Sequence, residues 1–203
     1  MNSGDDHLHW REIVSQLVKR CGIFDLYESR RRAQNGKEGI FHLLKAPDWV
    51  NVVPVLNDDE GRACFLMVKQ YRQGMAGITV EFPAGLIESG ESPAWAAGRE
   101  LFEETGYRAK SLKLIGTISP NPAFMNNRCY TFFTGDLYPA STREPNDRWD
   151  ELELLDVLLV PVEDLVDGIG QEPYCNSMTA LALYWYQRME GGKKGADRIR
   201  TGA

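Results

Sequence analysis

Arg99-Glu100-Leu101-Phe102-Glu103-Glu104-Thr105-Gly106-Tyr107 closes a stretch that opens at Glu81-Phe82-Pro83-Ala84-Gly85 and passes through Glu91-Ser92-Pro93. Its local grammar predicts a helix from Pro93 to Thr105. Ser92 can cap the first turn, and Pro93 is preorganised for the first helical position. Gly106 is the stop, where a left-handed backbone costs little. Glu100, Glu103 and Glu104 lie at i, i+3 and i+4, so they share one helix face. Like charges at that spacing cost about 0.2–0.5 kcal/mol per pair on an exposed helix, and most such runs are solvated faces. The arrangement becomes useful when the carboxylates share a hard cation, since magnesium takes oxygen ligands. Gly98 inside the helix costs roughly 0.5–1 kcal/mol against alanine, and close packing is the one account the sequence offers for it.

Outward from this helix the chain alternates strands with helices, an α/β (α+β) pattern. Upstream, residues 50–56, 65–70 and 78–82 read as strands, the first two separated by the turn Asn57-Asp58-Asp59-Glu60-Gly61. Downstream, strands return at 112–118, 129–136 and 155–161, and a helix over 176–189 closes the domain. These limits set a main domain at 48–190. Residues 191–203 lack apolar periodicity and read as a mobile tail. Residues 1–47 read as an N-terminal appendage too small to bury its own core. Trp10, Ile13, Val14 and Leu17 predict an amphipathic helix over 9–19. Strands at 23–29 and 39–45 follow, separated by a charged, turn-rich run at 30–37, and Ala46-Pro47-Asp48 reads as a hinge.

Composition narrows the function classes. The net charge is −6, with 29 acidic against 23 basic residues, which argues against a nucleic-acid-binding surface. A phosphate-handling protein with that balance needs bound cations to invert its local field. No membrane span is present in the sequence. The four cysteines (Cys21, Cys64, Cys129, Cys175) form no Cys-x-x-Cys pair, so a reducing cytoplasm is the expected location.

From Gly85 the spacing runs five residues to Glu91, seven residues to Arg99, then on through Tyr107. This resembles the Nudix box, Gly-x5-Glu-x7-Arg-Glu-U-x-Glu-Glu-x-Gly-U, with U a bulky aliphatic residue. Every fixed position matches and Leu101 fills the first U. Tyr107 at the last U is the one departure, a larger apolar body with a polar tip. The strand order extends the resemblance across 49–190.

The resemblance implies an α/β/α sandwich with a mixed sheet, whose box forms a loop–helix–loop that binds Mg2+, with Mn2+ as a substitute. It implies Glu100 and Glu104 as main metal ligands and Glu103 as a third ligand or a base. The Ala84 carbonyl would complete one metal shell. Arg99 would hold a box glutamate through a charge-assisted pair. Glu91 is left equally open to a structural or a direct role. The implied chemistry is hydrolysis of a pyrophosphate bond, in which metal ions clamp phosphate oxygens and a carboxylate takes the proton of the attacking water. His7, His9 and His42 all fall outside the box and read as ordinary surface or packed residues.

Val68-Lys69-Gln70-Tyr71-Arg72 and Glu81-Phe82-Pro83-Ala84-Gly85-Leu86-Ile87 look like the ADP-ribose and nucleoside-diphosphate-sugar branch of that family. Pro122, sixteen residues past Gly106, is a further cue for it. Neither the Ser-Gln-Pro-Trp-Pro run of NADH-cleaving relatives nor a coenzyme A signature is present. In this branch a loop before the last strand supplies a late glutamate that binds metal or activates water. Glu153 matches it best, and Glu151 is second. Arg72 suits bidentate phosphate recognition, while Glu81 either contacts substrate or ends its strand. Trp49 either caps the core, the favoured reading, or stacks on a base, and Trp10, Trp95, Trp149 and Trp185 read as packing. The branch also implies a homodimer built through residues 1–47. The expected partner is thus a nucleotide-sugar substrate, with no nucleic acid and no membrane. Two alternatives stand: a nucleoside triphosphate pyrophosphohydrolase of the same fold, and a non-catalytic nucleotide-binding regulator.

Overall fold

The computed structural model describes residues 4–140 and 154–201. They divide into two units: residues up to Asp48 together with Ser119–Arg128, and Trp49–Ile118 together with residues from Cys129 onward.

The first unit is a three-stranded antiparallel sheet of β1 (Trp10–Arg20), β2 (Asp25–Ala33) and β3 (Glu38–Lys45), in that order. The helix predicted over 9–19 is therefore a strand. The reason lies in the register of β1 with β2, which shifts between Glu12 and Val14 and again between Leu17 and Lys19. Each bulge inserts one residue and resets the two-residue alternation. Trp10 and Leu17 stand opposite Ala33 and Tyr27 while Val14 stands opposite Arg30, so the residues at helix-like spacing fall on both faces of an extended strand. The β-branched Ile13, Val14 and Val18 favour the strand. The charged run also differs from expectation, because β2 continues through Arg30, Arg31 and Arg32. Its charges are met laterally: Ser29, fully buried, donates to Glu12, and Arg32 donates to Glu38 at 2.8 Å. The segment Ser119–Arg128 is tied to this unit by hydrogen bonds from Leu44 N to Phe124 O and from Ala46 N to Asn126 Oδ1.

The second unit is built around β4 (Trp49–Asn57) and β5 (Ala63–Arg72). Four further strands join them in a mixed sheet: β6 (Gly77–Glu81), β7 (Ala84–Leu86), β9 (Lys113–Ile118) and β10 (Cys129–Thr134), with β12 (Leu155–Pro161) at one edge. Its main path runs β12-β5-β4-β10-β9, with β6 on β5 and β7 on β4; β4 and β10 are parallel and the other pairs antiparallel. A short ribbon of β8 (Tyr107–Ala109) and β11 (Leu137–Pro139) stands apart. The helices are α1 (Pro93–Thr105), α2 (Val162–Gly168) and α3 (Ser177–Thr201).

Alternation along the strands sorts the core into two clusters, one on each sheet face. Val50, Val52, Leu66 and Phe132 pack with Ala96, Ala97 and Leu101 of α1. Val53, Phe65, Met67, Val80 and Phe82 pack with Leu165 of α2 and with Ala182 and Leu183 of α3. Because both faces are covered, β4 reads as a nearly continuous apolar run. This is the expected α/β/α sandwich. Short elements escaped the sequence reading: β7, β8, β11 and α2 span seven residues at most. The last helix runs to Thr201, past Met189 where periodicity fades.

An added Cβ on Gly98 would meet only Leu112 Cδ1, at an ordinary 3.6 Å. Close packing therefore does not require this glycine. Gly98→Ala is expected to raise stability by about 0.5–1 kcal/mol, through removal of a helix-interior glycine. For a chain of this size that is a Tm increase of about 1–4 °C, read by thermal denaturation, with activity unchanged.

Candidate active site

The loop before α1 is fixed first. Val52 N donates to Pro83 O at 2.9 Å, and β7 pairs with β4 at Asn51–Ala84, Val50–Gly85 and Trp49–Leu86. The helix ends are fixed next. Ser92 Oγ accepts from Trp95 N at 3.2 Å, and Gly106, at φ 75°, donates its N–H to Phe102 O at 2.7 Å. Ala96, Ala97, Leu101 and Phe102 anchor the apolar face. The other face then carries Arg99, Glu100 and Glu103 toward the loop.

Arg99 is the hub of that face. Its Nε donates to Glu91 Oε1 at 3.0 Å and its Nη2 to Glu91 Oε2 at 3.1 Å. Its Nη1 donates to both Glu100 Oε1 and Glu103 Oε2 at 2.8 Å, and Nη2 also donates to Leu86 O at 2.9 Å. Those bonds use all the N–H donors a guanidinium has. Only about a tenth of the side chain is exposed. Burial alone would lower its pKa, but Glu91, Glu100 and Glu103 outweigh it and hold Arg99 above the ordinary arginine value. One cation thus holds three carboxylates that would otherwise repel. Glu91 serves here as the bidentate clamp on Arg99, and its Oε2 also accepts from Glu88 N at 3.0 Å.

Glu104 points elsewhere. It is 5% exposed, and its Oε2 accepts from Ala84 N at 3.0 Å, which sets the Ala84 peptide beside it. Glu100 in turn needs Gly85: an added Cβ there would lie 2.1 Å from the Glu100 carboxylate carbon. The glycine leaves room for a carboxylate pressed against the backbone. Among the described residues no group of three or more His, Cys, Asp and Glu side chains is arranged to enclose a metal ion. Glu100, Glu103 and Glu104 of α1 nonetheless offer hard carboxylate oxygens. That set fits magnesium, which takes one or two carboxylates and completes its shell from waters and substrate phosphates.

Arg72 and Glu81 form a second group. Arg72 Nε and Nη2 donate to Glu81 Oε1 and Oε2 at 2.9 and 2.8 Å, and Thr79 Oγ1 donates to Glu81 Oε1 at 2.6 Å. Burial raises the Glu81 pKa, but Arg72, Thr79 and Asn176 outweigh it and hold the carboxyl below its ordinary value. The Glu81 side chain is 5% exposed while Arg72 is 43% exposed. Of the two, Arg72 faces outward.

Glu151, Glu153 and Trp149 lie outside the described residues. His7, His9 and His42 are exposed. Trp95, read as packing, is half exposed on α1, 5.9 Å from the Arg99 guanidinium. Sequence reasoning did not find Thr79 or the Leu86 carbonyl. A threonine in a strand is unremarkable, and a backbone oxygen carries no side-chain signal.

The NUDIX domain matches residues 47–176. The chain belongs to the Nudix family. It is 35% identical to the ADP-ribose pyrophosphatase of Bacillus subtilis (strain 168) over 183 residues, 90% of this chain and 95% of that one. It is also 35% identical to the ADP-sugar pyrophosphatase of Mus musculus over 136 residues, 64% of this chain and 62% of that one. The crystal structure of an ADP compounds hydrolase superposes with a TM-score of 0.77 at 24% identity, covering 91% and 95% of the two chains. That likeness shows a shared fold. Gly85 through Tyr107 is the Nudix box, and Arg99 ties its Glu91, Glu100 and Glu103 together. With the box complete, the chain is a Nudix pyrophosphatase, a hydrolase.

Proposed function

We propose that this Nudix enzyme hydrolyses the pyrophosphate bond of ADP-ribose or a related nucleoside diphosphate sugar, giving a nucleoside monophosphate and a sugar phosphate, with Mg2+ as cofactor and Mn2+ as a substitute. The observation that carries the reading is the full set of box carboxylates on α1, with Glu100 and Glu103 held by Arg99 and Glu104 by Ala84 N, in a chain with relatives named ADP-ribose and ADP-sugar pyrophosphatase. Glu100, Glu104 and the Ala84 carbonyl would hold the metal, with Glu103 as a third ligand or as the base. Bound magnesium supplies charge neutralisation at the phosphate oxygens and a lowered pKa for the attacking water. Arg99 orients Glu91, Glu100 and Glu103. Glu104 anchors the Ala84 peptide to α1. Arg72 offers a guanidinium edge to the diphosphate, where planar bidentate contacts suit phosphate oxygens. Glu153, or Glu151 in its place, would supply the late carboxylate.

The test is product analysis on a panel of ADP-ribose, GDP-mannose, UDP-glucose, NADH and dNTPs with magnesium. The expected result is a diphosphate sugar cleaved fastest, to two monophosphates. A dNTP cleaved fastest, to a monophosphate and pyrophosphate, would replace this reading with the triphosphatase alternative.

A homodimer and a cytoplasmic location belong to the same proposal. The N-terminal sheet exposes Trp10, Ile13, Val14, Leu17, Val18 and Ile40, more apolar surface than an isolated sheet keeps in water. Its fitting cover is a second copy. Cys21, Cys64, Cys129 and Cys175 are all free thiols, in keeping with a reducing compartment. No helix among the described residues is long and apolar enough to cross a membrane.

A further inference from the structure

Arg72 stands at the end of β5 directly opposite Gly77 of β6, and Gln70 stands opposite Thr79. Alternation puts residues 77, 79 and 81 on one face of β6. The Arg72 guanidinium lies back along that face to Glu81. There it meets both carboxylate oxygens through Nε and Nη2. That fork takes one edge of the guanidinium and leaves the other as the outer edge of a side chain that is 43% exposed. The Glu81 carboxylate is one anchor that sets how the guanidinium lies.

Thr79 fixes that carboxylate. Its hydroxyl donates to Glu81 Oε1 at 2.6 Å, to the same oxygen that accepts Arg72 Nε at 2.9 Å. Thr79 is 1% exposed and Glu81 4% exposed, so water does not supply this donor in its place. The threonine Cβ branch suits the strand and restricts the hydroxyl to few rotamers. Asn176 backs the carboxylate from the start of α3 as a further donor, and its Oδ1 accepts from Met178 N at 2.7 Å. A buried carboxylate held by donors from three chain segments is costly to assemble and gains position rather than stability.

We propose that Thr79 is a positioning residue for substrate recognition: through Glu81 it aims the outer edge of Arg72 at the diphosphate of a nucleoside diphosphate sugar. The assignment rests on the substrate reading proposed above. Its effect falls on ground-state binding, so it is read in KM more than in kcat.

The test uses the full chain with ADP-ribose and magnesium, and four variants: Thr79→Val, Thr79→Ser, Arg72→Ala and the Thr79→Val/Arg72→Ala double variant. Thr79→Val keeps the shape and removes the hydroxyl. It is expected to raise KM about tenfold with kcat within about twofold, the scale of one lost hydrogen bond to a charged group. Thr79→Ser keeps the hydroxyl and loses a buried methyl. It is expected to melt at a lower temperature yet keep KM within about twofold of wild type. In the Arg72→Ala background, Thr79→Val is expected to change KM by less than about twofold, because the group it positions is gone. A Thr79→Val KM equal to that of wild type, or a tenfold effect persisting without Arg72, overturns the assignment alone. A wild type that cleaves no diphosphate sugar overturns the substrate reading and the assignment with it.

Discussion

Glu104→Gln is expected to lower kcat by on the order of a thousandfold while the protein stays folded, as several kcal/mol of transition-state stabilisation is lost at tenfold per 1.36 kcal/mol. The glutamine is isosteric, and its amide oxygen can accept the Ala84 N–H as the Glu104 Oε2 does at 3.0 Å. The tie between α1 and the loop is therefore kept. What disappears is one negative charge among the oxygen donors proposed to hold magnesium, and a neutral amide is a poor replacement for a hard carboxylate ligand. Steady-state rates and a thermal melt on the same preparation check both halves. A variant with near-native kcat would remove Glu104 from the metal site.

Arg99→Lys is expected to damage stability and activity together. Lysine has three donors on a point charge where arginine has five in a planar fork. It cannot span both oxygens of Glu91 and still reach Glu100, Glu103 and the Leu86 carbonyl, all within 3.1 Å of Arg99. Two or more carboxylates, each close to nine-tenths buried, would be left without their cation. Breaking a buried pair in this way costs roughly 3–5 kcal/mol. The activity loss expected from misoriented ligands is about 10–100-fold. Urea denaturation reads the first and kcat the second. The contrast with Glu104→Gln is the informative part, since one variant loses chemistry alone and the other loses the scaffold of the site. An Arg99→Lys protein of native stability would show that the hub carries no structural load.

Much of the fold was legible because its signals were local. The limits of α1 followed from Ser92, Pro93 and Gly106, each of which acts on the turn it occupies. The strands β4, β5, β6, β9, β10 and β12 announced themselves as apolar runs between turns. The N-terminal strand did not, because its apolar residues fall at helix-like spacing, and the two bulges that interrupt its alternation depend on a partner strand the sequence does not display. Elements of three to seven residues are too short to build a periodic signal, which explains β7, β8, β11 and α2.

The site was legible in its residue types and much less in its wiring. Spacing alone put Glu100, Glu103 and Glu104 on one helix face. It could not show that Glu100 and Glu103 turn to Arg99 while Glu104 turns to Ala84 N, because those directions depend on where β7 lies. Gly85 was visible as a motif position, but its physical reason, a Glu100 carboxylate occupying the space of its missing Cβ, needed coordinates. Arg72 and Glu81 were each noticed separately. Their pairing across β5 and β6 depends on register, and register also brings in Thr79.

The central claim is that this Nudix enzyme cleaves a nucleoside diphosphate sugar at a magnesium site on α1. The most direct test follows AMP and ribose phosphate formed from ADP-ribose by the wild-type protein, with magnesium, after chelation, and after magnesium is restored. Both products accumulating with magnesium, stopping on chelation and resuming on readdition is the predicted result. Cleavage that continues undiminished in chelator, or none by a folded and magnesium-supplied protein, would contradict it.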